Sequence, residues 1–500
     1  MIELRALGAA EIQTATTTLT PSQTVVFAVA LYLILENDKL VSRERLASII
    51  WPSADDTLRA HRLRQTILQL KKLGLQVTAN RHQLRLEPSD LRTDLDLAIT
   101  TDSDFLKKSS LEFLPGYEPT VSEPFREWID AKRSLIHRRL TSRLVHELPA
   151  ARHRGDWLRV EEIAERCLML DRYNETAVLA KAEATAMRGG KRKAVSILDD
   201  FLAELGTTHS DLRLPATILR KRVIERVPDA TALPLDAHFV GRESEMELLT
   251  RRFSAVRTGR GSAIQLLGEP GIGKSRLCQE FARFAELQGA YVQQARCRRT
   301  YVERPVSLFV ELVPLLRELP GALGCDPNTF ATLRRLTDID KSSTANSSDR
   351  SQPLFENVRE ALFDLVDSVV EEKPLVIIVD DAQWLDSASQ RILVTMMEWA
   401  ETKRLFVILN ARESSDLMTN SFDTVCIGPL SGLACKTLLE TTVFPHEIPS
   451  RESFIAWCQN IAEGNPFFLQ ELIHHWLETG QRFEAPPSVT KILDERVARL

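Results

Sequence analysis

A glycine-rich stretch a little past the middle of the chain has the residue types and spacing of a phosphate-binding loop. It reads LGEPGIGKSRLCQEF, residues 267–281, and contains Gly268, Gly271, Gly273, Lys274 and Ser275. Glycines let a loop fold so that backbone N–H groups point inward at a phosphate, and the N-terminus of a following helix adds its dipole. Lysine supplies positive charge to the β- and γ-phosphates, and serine an oxygen ligand for Mg²⁺. The pattern G-x-x-x-x-G-K-[ST] therefore predicts binding of ATP or ADP with Mg²⁺.

The residues on either side decide between such a loop and a simple turn. The run AIQLL before it, residues 263–267, is apolar enough for a buried strand, and RLCQEFARFAEL after it, residues 276–287, has the pattern of a helix. Four specified positions match the motif by chance on the order of one time in a hundred in such a chain. The alternative, a glycine-rich turn without a ligand, is disfavoured.

An acidic strand end supplies the second part of a nucleotide site. The run PLVIIVDDAQWLD, residues 374–386, has an apolar stretch typical of a buried parallel strand, followed by Asp380 and Asp381. We expect Asp380 to hold Mg²⁺ through water and Asp381 to orient the water that attacks the terminal phosphate. Fast ATPases more usually have a carboxylate one methylene longer at the second position, so we expect slow hydrolysis.

A third strand-like run, RLFVILNARE, residues 404–413, ends in Asn410 and Arg412. A polar or cationic side chain at that position can sense the γ-phosphate, which makes Arg412 a candidate catalytic residue. An ordinary surface arginine is the alternative. Strands separated by helices, with the phosphate-binding residues at the strand ends, predict an α/β P-loop NTPase fold. In that fold a doubly wound parallel sheet holds the nucleotide at its carboxyl edge.

The elements near the N-terminus concentrate positive charge in a chain that is acidic overall. The segment RAHRLRQTILQLKKL, residues 59–73, has apolar residues at helical spacing, and the short runs LQVTA and HQLRLE after it predict a hairpin. From residue 59 to residue 86 there are seven Arg or Lys residues and no Asp or Glu. A basic helix followed by a basic hairpin is typical of a winged helix-turn-helix.

Six polar side chains of this helix and hairpin are predicted to contact double-stranded DNA. The apolar stripe of the helix must face the core, so its polar residues face outward. Glutamine can pair with adenine and arginine with guanine, while lysine and the hairpin arginines suit phosphates. The alternative is a solvated cationic face with no partner. The predicted DNA-contacting residues are Arg62, Gln65, Gln69, Lys72, Arg81 and Arg85.

The next stretch, residues 98–228, is predicted to be all-helical, with a weak internal repeat. Gly155, Val160, Ile163 and Leu170 recur thirty-five positions later as glycine, valine and leucines. This period is close to that of tetratricopeptide helix pairs, which stack on their neighbours to bury a face. The pattern therefore indicates a tetratricopeptide-like scaffold or protein-contact surface, and a linker over residues 226–238 joins it to the second half of the chain.

Composition bounds the remaining possibilities. A formal net charge of −5 over 500 residues predicts no general attraction to nucleic acid or membrane, so DNA affinity must come from a local basic surface. The seven cysteines are scattered without any C-x-x-C pair, which argues against a disulfide framework or a zinc knuckle. With no signal-peptide pattern and no run of apolar residues long enough for a membrane helix, we expect a cytoplasmic protein without a membrane partner.

Three spaced motifs in the second half resemble the STAND-type signalling ATPases. They are FVGRESE at residues 239–245, VDDAQWLD at 379–386 and AEGNPFFLQEL at 462–472. The resemblance implies that Val240 and Arg242 lie near the adenosine and that Pro466 packs on the adenine from a small helical lid. It implies an ATPase domain over residues 236–425 and a lid subdomain over residues 426–487.

The first half resembles the SARP-type bacterial regulators, which pair an OmpR-like winged helix with a tetratricopeptide-like transcriptional activator domain. The segment EFLPGYEPTVSEPFREWIDAKRSLIHRRL, residues 112–140, is similar to the start of that activator domain. The resemblance implies a winged-helix DNA-binding domain over residues 1–97 and an activator domain over residues 98–228. PPSVTKILDERVARL, residues 486–500, is similar to the opening of a further winged-helix domain, so residues 488–500 are expected to be its truncated start.

Three functions compete for this multidomain chain. The first is a transcriptional regulator, most simply an activator, whose ATP or ADP state sets self-association and whose helical region contacts RNA polymerase. The second is a signalling ATPase scaffold whose N-terminal half binds protein rather than DNA; the basic window speaks against it. The third is an enzyme such as a kinase or helicase, for which no second catalytic constellation is visible.

Overall fold

The computed structural model of the chain describes residues 2–14, 17–36, 40–86, 91–100, 110–206, 210–226, 239–302, 304–339, 351–412, 423–441 and 451–478. The chain divides into two units, Met1–Pro149 with Glu162–Val178, and Ala150–Glu161 with Leu179–Leu500. None of the helices in the described ranges combines the length and apolar composition needed to cross a bilayer. The predicted start of a further winged helix, residues 488–500, lies outside the described residues.

The first unit opens with two small sheets and four helices. One sheet has the strand order β3-β2-β1-β7, with β1 and β7 parallel, and the other has the order β4-β6-β5 and is antiparallel. The elements are β1 (Ile2–Arg5), β2 (Glu11–Gln13), β3 (Thr18–Leu19), α1 (Thr24–Leu35), β4 (Val41–Ser42), α2 (Arg43–Ile50), α3 (Asp56–Lys72), β5 (Val77–Ala79), β6 (Gln83–Leu86), β7 (Leu91–Thr93) and α4 (Asp94–Thr100).

Helix α3 and the β5–β6 hairpin occupy the positions expected from the basic window. The helix begins three residues earlier than its predicted start at residue 59, because the Asp55 side chain accepts a hydrogen bond from the N–H of Leu58 at 2.8 Å and caps it. Leu63, Ile67 and Leu70 are buried, as the apolar stripe predicts. In the hairpin turn, the Asn80 side chain accepts hydrogen bonds from the two N–H groups that precede and begin β6.

Five helices follow, α5 (Glu123–His153), α6 (Trp157–Leu170), α7 (Glu175–Met187), α8 (Lys191–Glu204) and α9 (Ser210–Arg226). The start of α5 covers α1, since the rings of Trp128 and Tyr32 lie 4.4 Å apart and Lys132 forms an ion pair with Glu36 at 2.8 Å. Each predicted repeat begins with a helix after a glycine, Gly155 before α6 and Gly190 before α8. A tetratricopeptide-like stacking of these helices remains a prediction.

The second unit contains a five-stranded sheet of order β12-β8-β11-β10-β9, and every pairing in it is parallel. This is the parallel α/β sheet that the strand-like runs predict. Strands β10 and β11 are almost wholly buried, which explains their continuous apolar sequences. The elements are α10 (Glu243–Arg257), β8 (Ser262–Leu267), α11 (Lys274–Leu287), β9 (Tyr291–Arg296), β10 (Leu375–Asp380), α15 (Ser387–Ala400), β11 (Leu405–Ala411) and β12 (Asp423–Cys426).

Two further groups of helices in this unit lie beside the sheet in the chain order. Helices α12 (Ser307–Arg317), α13 (Pro327–Ile339) and α14 (Ser351–Glu372) lie between β9 and β10 in the chain, and several of their apolar residues join the core of the sheet. The segment predicted as a lid forms α16 (Gly432–Thr441), α17 (Arg451–Ala462) and α18 (Pro466–Glu478) around a core of its own. Strand β9 and the helices from α12 to α14 had no counterpart among the elements expected from the sequence.

Candidate functional site

The glycine-rich loop connects β8 to α11, and its glycines are required by the backbone. Gly271 and Gly273 have φ of 78° and 99°, in the left-handed region that favours glycine. A Cβ on Gly268 would lie 2.7 Å from the carbonyl oxygen of Ile427, too close for any side chain. The loop thus has the tight form that brings backbone N–H groups to the start of a helix.

Lys274 lies across this loop. Its Nζ donates to the carbonyl oxygens of Gly268 at 2.8 Å and Glu269 at 2.9 Å. The ammonium is therefore held at the mouth of the loop by neutral acceptors. A phosphate oxygen carries a full charge and is a stronger acceptor for the same group.

A chain of hydrogen bonds links the start of α11 to the ends of β10 and β11. Ser275 Oγ donates to Asp380 at 2.8 Å, and Asn410 Nδ2 donates to the same carboxylate at 3.2 Å. Burial raises the pKa of the Cys278 thiol to about 12, so it stays protonated and donates to Asn410 Oδ1 at 3.3 Å. Mg²⁺ prefers oxygen ligands, and the protein usually supplies only one or two of them. The oxygen atoms of Ser275 and Asp380 therefore suit a Mg²⁺ ion.

Asp381 directly follows strand β10 and has a left-handed backbone conformation, with φ of 54°. Its Oδ2 accepts from Arg296 Nε at 2.9 Å, and its Oδ1 accepts from Gln383 Nε2 at 3.1 Å. Both carboxylate oxygens of Asp381 are therefore engaged by donors. Slow hydrolysis remains a prediction.

One cavity of about 530 Å³ brings most of the predicted site residues together. Gly268 is absent from its lining, because it packs against Ile427 at the start of the loop. Arg412 lies just beyond the end of β11, is exposed and lines the cavity. The predicted site residues that line it are Val240, Arg242, Gly271, Gly273, Lys274, Ser275, Asp380, Asp381, Arg412 and Pro466.

The end of the cavity predicted to hold the adenosine is formed by the 239–245 motif and the lid. Val240 packs against the lid core, and Pro466 Cγ would lie 3.8 Å from a Cβ placed on Gly273. Arg242 is nearly buried, and its guanidinium donates to Ile272 O at 3.0 Å, to Gly428 O and to Glu245. Arg242 thus braces the loop against the segment that leads to the lid.

Several lining residues were missed from the sequence. Arg296 is the last residue of β9, and the polar sequence of that strand, YVQQAR, does not indicate a buried strand. Because β9 pairs with β10, Arg296 lies beside Asp380. Gln383 and Phe467 line the cavity, and Asn465 contacts the phosphate loop without lining it. All three belong to the motifs at residues 379–386 and 462–472, in which nothing distinguishes these side chains. The only available signal for Arg296 was a cation at the end of an alternating segment before the acidic strand.

The six predicted DNA-contacting residues belong to the first unit. All six side chains are exposed, four on α3 and two in or beside the hairpin turn and β6. Their exposure meets the first requirement for an interface. The four on the helix share the face opposite the buried stripe.

Asp380 and Asp381 are expected to respond differently to substitution. Asp380→Ala should lose the Mg²⁺ dependence of ATP binding, because the partner of Ser275 is removed. Asp381→Asn should bind Mg-ATP with unchanged affinity and hydrolyse it about a hundredfold more slowly or worse, since a positioned base contributes on that order. Binding by calorimetry and single-turnover hydrolysis separate the two effects. Hydrolysis at the parent rate in both variants would refute the assignment.

Comparison with known proteins identifies the domain around the cavity. Residues 238–408 match the AAA ATPase domain family, so the chain carries a P-loop ATPase domain of this class. The family implies nucleotide binding, typically with Mg²⁺. An uncharacterised protein of Rhizobium meliloti is 22% identical over 257 residues, which are 47% of this chain and 24% of that protein. The match thus spans about a quarter of the curated relative's length.

Solved structures from three organisms show some similarity to this chain. A Walker-type ATPase of Pyrococcus abyssi is 18% identical with a TM-score of 0.33, over 53% of this chain and 77% of that one. AMPPCP-bound DnaA from Aquifex aeolicus is 14% identical with a TM-score of 0.31, over 48% and 63%. Drosophila ORC bound to DNA is 12% identical with a TM-score of 0.32, over 58% and 67%. Similarity at this level carries no functional inference.

Proposed function

We propose that the protein is a DNA-binding transcriptional regulator, most simply an activator, whose ATPase domain acts as a nucleotide-controlled switch. The observation that carries the proposal is the presence in one chain of an AAA ATPase domain and of an exposed basic helix and hairpin. ATP and ADP set two states of the switch. Hydrolysis of ATP is slow, which suits a regulatory switch rather than an enzyme that performs mechanical work.

The nucleotide half of the proposal is supported by the cavity. The proposal assigns Lys274 to the phosphates, Ser275 and Asp380 to Mg²⁺, and Arg412 to the terminal phosphate. All four line the same cavity, and Ser275 Oγ donates to Asp380. Bound Mg²⁺ would neutralise negative charge on the phosphates and hold them in a fixed orientation. Val240 and Pro466 offer apolar surface to the adenine.

The DNA half is supported by the face of α3. Gln65 and Gln69 are one helical turn apart and exposed, so both can reach base edges when the helix enters a major groove. Arg62 and Lys72 extend the same face. Arg81 lies in the turn of the hairpin and Arg85 in strand β6, and a wing would meet the backbone of the duplex with such residues.

The helical region and the cellular setting complete the proposal. Exposed helical surface between residues 123 and 226 would contact RNA polymerase or a second copy of the chain, and the nucleotide state would control self-association. A DNA regulator of this kind acts in the cytoplasm of a bacterium.

DNA footprinting with the full chain tests both halves together. The DNA upstream of its own gene is probed with ATP, with ADP and without nucleotide. The proposal predicts protection that depends on which nucleotide is bound. Protein-only binding by the N-terminal half, the scaffold alternative, predicts no protection in any of the three conditions.

Substitutions within the basic surface should separate base reading from phosphate contact. Replacing Gln65 or Gln69 by alanine should relax sequence preference by about 1 to 3 kcal/mol per base pair. Replacing Arg81 or Arg85 should weaken binding to all sequences and lower the salt slope by about one unit each. Titrations of duplex from about 50 to 200 mM salt measure both effects.

Arg192→Ala is the matched control, because Arg192 is an exposed arginine in the helical region. It should leave the salt slope unchanged. A parent protein whose DNA binding does not depend on salt would overturn the DNA half of the proposal and leave the nucleotide half standing.

A further inference from the structure

Three successive carbonyl groups of the phosphate loop accept hydrogen bonds from groups outside the loop. Two of the three donors belong to the segment that begins lid helix α18. The bonds run from Asn465 Nδ2 to Pro270 O at 3.1 Å, from the Phe467 N–H to Gly271 O at 3.3 Å, and from the Arg242 guanidinium to Ile272 O at 3.0 Å.

Asn465 is the central member of this set. It is 2% exposed, and its Oδ1 accepts from the N–H of Phe467 at 3.0 Å while its Nδ2 donates to Pro270 O. Because an N–H can only donate and a carbonyl can only accept, these two partners fix the orientation of the amide. The side chain caps the lid helix with one end and holds the phosphate loop with the other.

The contact between the lid and the loop leaves no spare room. A Cβ on Gly271 would lie 2.7 Å from Phe467 Cβ and 3.0 Å from Asn465 Oδ1. Behind the lid segment, a Cβ on Gly464 would lie 2.5 Å from Leu430 O. The two glycines, both with positive φ, allow the lid segment to rest directly on the loop.

Anchoring these carbonyls orients the N–H groups that follow them. In a planar trans peptide the C=O and the next N–H point in opposite directions. Holding Pro270 O on Asn465 and Ile272 O on Arg242 therefore turns the N–H groups of Gly271 and Gly273 away from these two donors, and both glycines line the cavity. The N–H of Ile272 closes a turn onto Glu269 O at 3.3 Å.

We propose that Asn465 is a positioning residue that keeps the phosphate loop in its phosphate-binding shape. The lid then senses the phosphates through the loop, in addition to the adenine contact expected of Pro466. Phosphate binding and lid docking stabilise each other, because each favours the same arrangement of the loop. The inference rests on the proposed nucleotide function and identifies the contacts through which a bound nucleotide affects the lid.

The test compares ligands with and without phosphates. Asn465→Ala and Asn465→Asp are titrated with ATP, ADP and adenosine by calorimetry. The alanine variant should bind ATP and ADP about three- to tenfold more weakly, the effect of one lost hydrogen bond, with adenosine affinity unchanged. The aspartate variant keeps the acceptor for Phe467 but loses the donor and adds a negative charge, so its loss should be larger.

Gln459→Ala is the matched control, because the Gln459 amide donates to Gly432 O at 2.7 Å within the lid and does not reach the loop. It should bind all three ligands as the parent does. Parent-like ADP affinity in both Asn465 variants, or equal losses for ADP and adenosine, would overturn the inference while leaving nucleotide binding intact. A parent that binds no nucleotide would instead remove the proposed function and this inference with it.

Hydrogen exchange on the parent gives an answer that does not depend on any variant folding. Tripolyphosphate with Mg²⁺ carries no adenine, so an effect on the lid cannot arise from the adenine contact expected of Pro466. The inference predicts slower exchange over residues 464–478 when tripolyphosphate protects residues 268–275. Protection of the loop with unchanged exchange in the lid would contradict it.

Discussion

Lys274→Ala is expected to weaken ATP binding by about ten- to a hundredfold, the effect of losing a charge-assisted contact of roughly 1.5 to 3 kcal/mol. The loss should be larger for ATP than for ADP, because the ammonium serves the β- and γ-phosphates. The fold should persist, since the lysine is partly exposed and its acceptors, Gly268 O and Glu269 O, lie at an open cavity. Calorimetry with both nucleotides measures the effect.

Lys436→Ala controls for the general loss of a lysine from this part of the chain. Lys436 is exposed on α16 and does not line the cavity, and its ion pair within the described part of the chain is a long one, with Glu440 at 3.8 Å. It should bind ATP as the parent does. Equal affinities of the parent and the Lys274 variant would remove the loop from the nucleotide site.

Asp386→Ala is expected to destabilise the ATPase domain by about 3 to 5 kcal/mol, because it removes the centre of a buried hydrogen-bond network. The carboxylate is 3% exposed and caps α15. It also holds the start of α12, where Val306 has a left-handed φ of 57°. Its donors are Val306 N, Ser307 N, Ser307 Oγ, Ala388 N, Ser389 N and Ser389 Oγ, at distances from 2.7 to 3.1 Å.

Urea unfolding of the full chain, followed through the transition of the ATPase domain, measures this loss. Asp326→Ala is the comparison, because Asp326 is exposed and accepts from the N–H of Asn328 in the first turn of α13. Losing such an exposed cap should cost about 1 kcal/mol. Similar unfolding midpoints for the two variants would show that the Asp386 network contributes little.

Local sequence was sufficient wherever neighbouring residues determine the structure. The phosphate loop, β8 and α11 follow from glycine spacing, an apolar run and a helical pattern, all within residues 262–287. The buried apolar stripe of α3 follows from the helical spacing of its apolar residues alone. Its N-terminus was misplaced by three residues because the strong cap, Asp55, lies outside the apolar pattern.

Contacts between distant segments were not predictable from such patterns. Arg296 reaches Asp381 only because β9 and β10 are neighbours in the sheet, and their separation in the chain hides this. Asn465 meets Pro270 for a similar reason, since a helical lid must first fold over the loop. The resemblance predicts that Arg242 lies near the adenosine. Its hydrogen bonds to Ile272 O and Gly428 O, which join the phosphate loop to the segment before the lid, are specified by no motif.

The order of strands in the large sheet has a consequence for how the chain matures during its synthesis. Strand β8, which leads into the phosphate loop, is paired on both sides by β11 and β12, which end at residues 411 and 426. The phosphate loop therefore stays without its sheet until the ribosome has released those residues. The first unit closes its own sheet much earlier, when β7 at residues 91–93 joins β1. A nascent chain thus completes its exposed basic helix and hairpin well before its candidate nucleotide site.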